Sequence, residues 1–283
     1  MEEANFSIKT MGIKELEMAI DWAYNEGWNP GLNDAESYFS VDENGFLVGM
    51  LDGKPIATIS VVKYGNSFGF LGFYIVAPEY RGKGYGIKIW NAGMKYLEGR
   101  NIGLDGVVDQ QDNYRKSGFK LAYRNIRFQG IVEKRHEIDN NIVNLSEVSF
   151  EKLAAYDRDF FPEERSEFLK KWINQPFSFA KAIVREDKIE GYGVIRKCRN
   201  GYKIGSLYSD LPESAEKIFL ALANEVSEKD TLYLDVPEIN NEAVMLAKKF
   251  NMKMMFETAR MYTREEPNLP MERVFGVTSF EIG

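Results

Sequence analysis

The stretch Phe70-Leu-Gly-Phe-Tyr-Ile-Val-Ala-Pro-Glu-Tyr-Arg-Gly-Lys-Gly-Tyr-Gly86 decides the fold of this 283-residue chain. Up to Val76 it is apolar, β-branched and aromatic, which is typical of a buried strand. A proline-containing turn and alternating glycines follow. Apolar residues then recur at helical spacing, at Ile87, Trp90, Met94 and Leu97. The pattern predicts a strand, a glycine-rich loop and a helix, in that order.

The loop at residues 81–86 has the chemistry of a phosphate-binding cradle. Its glycines can adopt positive φ and let a ligand approach the backbone closely. Unpaired amides of the loop and of the first helical turn, together with the helix dipole, favour an anion there. Arg81 and Lys83 add positive charge. An ordinary strand-to-helix turn with glycines for packing is the alternative, since the glycine spacing matches neither the P-loop nor the dinucleotide fingerprint.

Two motifs make the chain similar to the GNAT superfamily of acyl-CoA-dependent N-acetyltransferases. Residues 76–86 resemble that family's strand exit, V-x-P-x-Y/W, followed by its pyrophosphate loop, Q/R-x-x-G-x-G/A. Further along, residues 114–119 (Tyr-Arg-Lys-Ser-Gly-Phe) resemble the family element Y-x-x-x-G-F. The resemblance implies an α/β fold (α+β, with a mixed sheet), in which a mostly antiparallel central sheet is flanked by helices. It also implies acetyl-CoA, or coenzyme A after transfer, as the cofactor.

The resemblance further implies which residues meet the cofactor. Strands that end at Val76 and Val108 are expected to splay apart around the thioester, with backbone amides near Val76 binding its carbonyl. The Tyr114 hydroxyl is expected to protonate the departing thiolate, because the two groups have similar basicity. An aromatic that only packs on the sheet is the alternative for Tyr114. The expected cofactor contacts are Tyr74, Ile75, Val76, Arg81, Gly82, Lys83, Gly84, Tyr85, Gly86 and Asn113.

The sequence leaves the general base open. Asp109 follows a predicted strand and Glu26 precedes the Trp28 loop, so either carboxylate can be placed to relay a proton through water. Direct transfer is favoured over a covalent acyl-enzyme, because Cys198 is the single cysteine and lies in the other half of the chain.

The segment after the first predicted helix is the candidate acceptor site. In the resembled fold this connection covers the acceptor side, and Trp28, Asn29 and Asp34 offer stacking, hydrogen bonds and charge for an amine. The alternative is a tryptophan that anchors a turn shaped by Asn-Pro-Gly.

Composition narrows the function further. The formal net charge is −7 and neither half is basic, which argues against nucleic acid as a partner. One cysteine and one histidine, His136 in a charged connector, make a zinc site or a nucleophilic triad improbable, and we expect no metal. The acidic start lacks a signal pattern, and no apolar run approaches the roughly 20 residues that span a bilayer. We therefore expect a cytoplasmic protein without membrane contact.

The rest of the first half predicts the sheet and the helices around the loop. We expect a strand at 6–10, a helix from Ile13 to about 25, a short helix at 35–39, and a hairpin at 45–62. A strand at 67–76 pairs with that hairpin, and residues 101–108 form a parallel strand. A short helix starts at 110–114, compressed relative to the family. Two strands at 119–122 and 126–132 are expected to complete the first sheet.

The second half repeats this order of elements, so we expect two tandem GNAT-like domains, at residues 1–138 and 139–283. The loop that corresponds to the cradle is residues 209–214, which has no glycine or basic residue and carries two carboxylates. Such a loop repels pyrophosphate, and Ala247 stands at the position of Tyr114. The second half is therefore expected to be degenerate, and to wall the acceptor pocket or mediate contact in a homodimer.

These patterns together indicate an acetyl-CoA-dependent N-acetyltransferase. We expect the acceptor to be a small molecule with a primary amine, held between the two halves. The alternatives are acetylation of a protein or peptide amine, which needs an open groove at the Trp28 loop, and a non-catalytic acyl-CoA sensor.

Overall fold

The computed structural model describes residues 5–133 and 139–283, which share one mixed sheet of thirteen strands flanked by helices. The mixed α/β class is confirmed. The expected domain boundary lies beside residues 134–138, outside the described residues, and stays a prediction. His136 lies in that same segment.

The first half has the predicted order of elements. Its strands and helices are β1 (Phe6–Thr10), α1 (Ile13–Asn25), α2 (Asp34–Phe39), β2 (Phe46–Leu51), β3 (Lys54–Tyr64), β4 (Phe68–Val76), α3 (Tyr85–Tyr96), β5 (Asn101–Val107), α4 (Gln111–Lys116) and β6 (Lys120–Gly130). The hairpin, the antiparallel β3–β4 pair and the parallel β4–β5 pair are all present.

The second half follows the same order of elements and adds one strand at its end. They are β7 (Ile142–Asn144), α5 (Phe150–Asp157), α6 (Ser166–Trp172), β8 (Ser178–Arg185), β9 (Lys188–Lys197), β10 (Tyr202–Ser209), α7 (Pro212–Asn224), β11 (Leu232–Pro237), α8 (Asn241–Lys249), β12 (Lys253–Tyr262) and β13 (Val274–Gly276). The proline that opens α7 suits the first helical turn, where no backbone donor is needed.

The two halves exchange strands at the centre of the sheet. The strand order is β1-β2-β3-β4-β5-β12-β6-β11-β10-β9-β8-β7, so β12 of the second half lies between β5 and β6 of the first. Both neighbours of β6, β11 and β12, therefore come from the second half. The hydrogen-bonded ladder runs through the junction without a break.

The prediction of two short strands at 119–122 and 126–132 that complete the first sheet is wrong in two respects. The segment is one strand, β6, and it joins strands of the second half. The polar residues between the two predicted strands have partners in the sheet: Arg124 pairs with Glu257 at 2.6 Å, and the Asn125 amide donates to Asp105 at 2.8 Å. Because these partners are distant in sequence, the local pattern does not show that the strand continues.

The sheet of the first half has two covered faces, which positions the site. Helix α1 buries Leu16, Ala19 and Ile20 on the face that carries Phe70 and Phe73. Helix α3 buries Ile89 and Trp90 on the opposite face. We call these the α1 face and the α3 face.

Candidate functional site

Strands β4 and β5 diverge halfway along their length. They pair only over Phe68–Leu71 and Asn101–Leu104, after which β4 stays with β3 and β5 continues along β12. An extra residue bulges from β4 at this point, where Phe73 has a φ of 45° and Thr58 Oγ1 donates to its carbonyl at 2.9 Å. The result is a gap in the hydrogen bonding between residues 72–76 and 105–107, which we call the β4–β5 fork. The expected splay of the two strands is present.

The loop after β4 has the conformation that its glycines allow. A short 3-10 turn at 78–80 leads into the loop, and α3 begins directly after Gly84. Gly82 and Gly84 have φ values of 74° and 81°, and a Cβ on either would meet no atom within 4 Å. These two glycines are therefore needed for backbone geometry, and the side of the loop that faces away from the protein is open to a ligand.

Gly86 has a different reason to be glycine. A Cβ there would lie 2.7 Å from the Tyr74 hydroxyl and 3.2 Å from a Val76 methyl group. The residue lets the first turn of α3 approach the end of β4, so that the free amides of the helix lie beside the mouth of the fork.

The two basic residues of the loop differ in their partners. Arg81 Nε donates to the Val76 carbonyl at 2.8 Å, and the guanidinium also pairs with Glu26 at the end of α1. Its charge is thus partly neutralised and ties the end of β4 to α1. The Lys83 ammonium lies 5.5 Å from the Tyr80 ring centre and has no carboxylate partner among the described residues. Lys83 is the cation of this loop that is available to an anion.

Tyr114 lies on the α3 face of the fork. Its ring stacks on Trp90 at 5.7 Å and packs so closely on β5 that a Cβ on Gly106 would be 2.2 Å from it. Burial, with a smaller effect from Tyr74, raises the pKa of Tyr114 to about 12. The hydroxyl has no hydrogen-bond partner within the described part of the chain, and its proton is retained at neutral pH.

The other expected cofactor contacts are placed around these groups. Tyr74 faces the same side as Tyr114, and its ring meets Trp90 at 5.1 Å, while Ile75 is buried on the α1 face. Tyr85 starts α3. Asn113 is exposed on α4, where its amide donates to Gln110 at 2.8 Å. Tyr74 and Tyr85 thus lie with the loop and the fork, whereas Asn113 lies on the outer surface of α4.

The loop between α1 and α2 is bound to the second half. The Trp28 carbonyl accepts hydrogen bonds from Arg127 and, at 3.3 Å, from Lys203. The Asn29 amide donates to the carbonyl of Asn200 at 2.9 Å. Trp28 is half-buried, and these hydrogen bonds hold the loop against the second half.

Asp34 is fully buried and accepts from Arg196 at 2.9 and 3.2 Å. Although burial alone would raise its pKa, Arg196 holds the pKa of Asp34 below the ordinary value. Asn29 and Asp34 are thus bound to residues of the second half, and the assignment of Trp28, Asn29 and Asp34 to acceptor binding stays a prediction. Of the two candidate bases, Glu26 is occupied by Arg81, and Asp109 is exposed after β5.

The second half has no open fork. Its strands β10 and β11 pair only over Tyr202–Ile204 and Leu232–Leu234, as β4 and β5 do. Here, however, β13 enters the gap: it pairs with Leu207 and Tyr208 of β10, and Val277 donates to the Asp235 carbonyl of β11. The degenerate loop is also occupied, because Asp210 accepts from Arg273 at 2.6 Å and from the Tyr156 hydroxyl at 2.8 Å.

The sequence reasoning missed the segment after β13, residues 277–283. It crosses the α1 face of the first half, where Ser60 Oγ donates to the Glu281 carbonyl at 3.1 Å and the Tyr64 hydroxyl donates to that of Ile282 at 2.9 Å. A Cβ on Gly72 would lie 2.1 Å from the Glu281 carbonyl oxygen. A glycine in the middle of an apolar strand was the one local sign of this close approach.

A fork, an open glycine loop and a buried tyrosine hydroxyl define the class of protein, and comparison with known proteins agrees. Residues 13–119 match the description "Acetyltransferase (GNAT) family" and residues 153–276 match "Acetyltransferase (GNAT) domain". The chain belongs to the GNAT family, with two GNAT domains in tandem, and is an acyltransferase.

Individual relatives resemble the whole chain. It is 30% identical over 282 residues to the holothin acyltransferase of Pseudoalteromonas sp. (strain SANK 73390), which covers 100% of this chain and 96% of the relative. A putative acetyltransferase from Pyrococcus horikoshii has the same fold, with a TM-score of 0.83 at 20% identity, covering 100% and 99% of the two chains. A tandem GNAT protein from the clavulanic acid biosynthesis pathway gives a TM-score of 0.63 at 10% identity, covering 93% of this chain and 100% of that one.

One further property concerns membranes. Among the described residues, no helix combines the length and the apolar character needed to cross a bilayer.

Proposed function

We propose that this chain transfers the acetyl group of acetyl-CoA to the primary amine of a small molecule, by direct transfer at the β4–β5 fork. The observation that carries the proposal is the divergence of β4 and β5 next to the open glycine loop in the first half. Within the described residues, the second half has its corresponding gap filled by β13.

The residues of the first half fit coenzyme A. The amides at Gly82–Gly86 and the start of α3 suit the pyrophosphate, and the Lys83 ammonium adds a positive charge that no carboxylate among the described residues pairs with. When bound, the cofactor supplies an acyl group activated as a thioester. Tyr114 holds its proton on the α3 face of the fork, in a place to give it to a leaving sulfur.

The closed acceptor loop supports a small acceptor over a peptide. A peptide substrate needs a groove at Trp28, whereas the carbonyl of Trp28 and the side chain of Asn29 are bound to the second half. The full-length likeness to an acyltransferase named for holothin points in the same direction. The Tyr114 hydroxyl, which has no hydrogen-bond partner among residues 5–133 and 139–283, argues against a sensor that only binds the cofactor, because binding alone does not require a proton donor.

The test is a thiol-release assay with acetyl-CoA and a panel of acceptors: holothin, tyramine, spermidine, glucosamine and a lysine-containing peptide. We expect calorimetric uptake of acetyl-CoA, and thiol release above the acceptor-free rate with at least one of the small amines. Release with the peptide alone would establish the peptide alternative. Tight uptake without acceptor-dependent release would establish the sensor. No uptake would overturn the proposal.

A further inference from the structure

Among the described residues, the buried carboxylates are paired with buried arginines, with one exception. Four of them lie in ion pairs with a buried arginine, each with at least one contact of 2.6 to 2.9 Å: Asp34–Arg196, Asp105–Arg260, Asp157–Arg165 and Asp235–Arg127. Glu281 is also buried, with 3% of its surface exposed. Among the described residues, no cationic nitrogen lies within salt-bridge distance of its carboxylate.

The single hydrogen bond to the Glu281 carboxylate is shared. The Tyr38 hydroxyl lies 3.1 Å from Glu281 Oε2 and 3.0 Å from Asp34 Oδ2. A phenol has one proton to donate, so it can serve only one of these carboxylates at a time. Asp34 has Arg196 in addition, whereas Glu281 has no other donor within the described part of the chain.

Two buried cations that interact electrostatically with Glu281, Arg127 and Lys203, do not supply the missing partner. Arg127 is committed to Asp235 through two hydrogen bonds of 2.6 Å. The Lys203 ammonium donates to the Trp28 carbonyl at 3.3 Å. Neither cation lies within salt-bridge distance of the Glu281 carboxylate, although its charge raises the pKa of both. A buried carboxylate without a hydrogen-bonded cation is costly, and it is a place where a ligand with N–H donors gains most.

Glu281 also lies beside the β4–β5 fork. Its carbonyl contacts Gly72, the first residue of β4 beyond the pairing with β5. Tyr38, which bonds its carboxylate, has its ring 5.9 Å from that of the bulged Phe73. Glu281 therefore lies on the α1 face of the fork, and Tyr114 lies on the α3 face.

We propose that the Glu281 carboxylate binds the amino group of the acceptor on the α1 face of the fork. The ligand class is a small primary amine, whose N–H groups provide the donors that the protein itself does not. This inference rests on the proposed function, and it gives the segment after β13 a role in recognising the acceptor.

The test compares Glu281→Gln with Glu272→Gln, an exposed glutamate of the same C-terminal region. The acceptor is the panel amine with the highest rate for the unmodified protein. For Glu281→Gln we expect acetyl-CoA affinity within twofold of the unmodified protein and an acceptor KM at least tenfold higher. We also expect an unchanged or raised Tm, since an unpaired buried charge is removed. Glu272→Gln should leave all three quantities unchanged.

The outcomes separate the inference from the proposed function. An unchanged acceptor KM in Glu281→Gln, with transfer by the unmodified protein intact, would overturn the inference alone. If Glu281→Gln and the charge-retaining Glu281→Asp both fail to fold, the carboxylate is structural and the inference is also overturned. Failure of the unmodified protein to take up acetyl-CoA would instead remove the proposed function.

Discussion

The two halves of the chain build the same divergence of parallel strands and use it differently. In the first half no strand pairs between β4 and β5 beyond Leu71 and Leu104 within the described residues, and a glycine loop follows β4. In the second half the gap beyond Ile204 and Leu234 holds β13, which pairs with β10, and the next residue, Val277, donates to β11. The second domain thus has the same fold, while its own polypeptide occupies the place that corresponds to the proposed cofactor site of the first.

The comparison extends to how each half is completed. Strand β12 of the second half supplies the neighbour of β5, with Thr258 opposite Val107 and Tyr262 opposite Gly103. The segment after β13 then covers the α1 face of the first half. The degenerate half therefore supports β5 from the side away from the fork and covers the α1 face, although its own gap is filled.

Separating the halves should have the largest effect. A fragment of residues 1–138 lacks both neighbours of β6 and one neighbour of β5, which leaves long unpaired edges and an exposed core. We expect no cooperative thermal transition by circular dichroism. The matched control is the full chain cleaved within residues 134–138, which should stay assembled because the strands interlock. A fragment that melts cooperatively and binds acetyl-CoA would contradict the shared sheet.

The second-largest effect should come from a negative charge introduced into the glycine loop, and the same charge in the corresponding loop of the second half should have no effect. Gly84→Asp places a side chain at φ 81° and a negative charge in the cradle, so acetyl-CoA binding should weaken on the order of 100-fold, or about 2.7 kcal/mol. Leu211→Asp is the control, because that exposed residue precedes α7 and aspartate is a favourable helix cap. Its acetyl-CoA affinity, measured by calorimetry, should not change. Equal losses in both variants would mean that the second loop also binds cofactor.

Removal of one hydroxyl should have a smaller effect that is confined to turnover. Tyr114→Phe keeps the stacking on Trp90 and removes the proton, so kcat should fall about 100-fold, the range typical of a lost general acid, with acetyl-CoA affinity unchanged. Tyr96→Phe at the far end of α3, where the hydroxyl bonds Asp42, is the control and should retain full turnover. An unchanged kcat in Tyr114→Phe would leave that residue with packing alone.

The local geometry of the site could be predicted from the sequence, whereas the partners of its side chains that are distant in sequence could not. Positive φ at Gly82 and Gly84 follows from residue type and spacing, and so does the strand–loop–helix order. The partner of Arg81 does not, because Glu26 lies at the end of a helix 55 positions away. Asp34 looked available to an amine for the same reason, since Arg196 lies 162 positions further along. Strand exchange is equally hidden, because β6 and β12 would each suit an edge or a centre of a sheet.

The exchange of strands has a consequence for how the protein is made. Strand β6 leaves the ribosome long before β11 and β12, which pair with it at Leu232–Pro237 and Lys253–Tyr262. The half that contains the glycine loop is therefore synthesised first, but the edges of β6 stay unpaired until residues near 262 have emerged. Contacts so distant in sequence form slowly, and the intermediates that precede them are prone to aggregation. Production of this protein should accordingly respond to chaperone supply and to slower translation at low temperature.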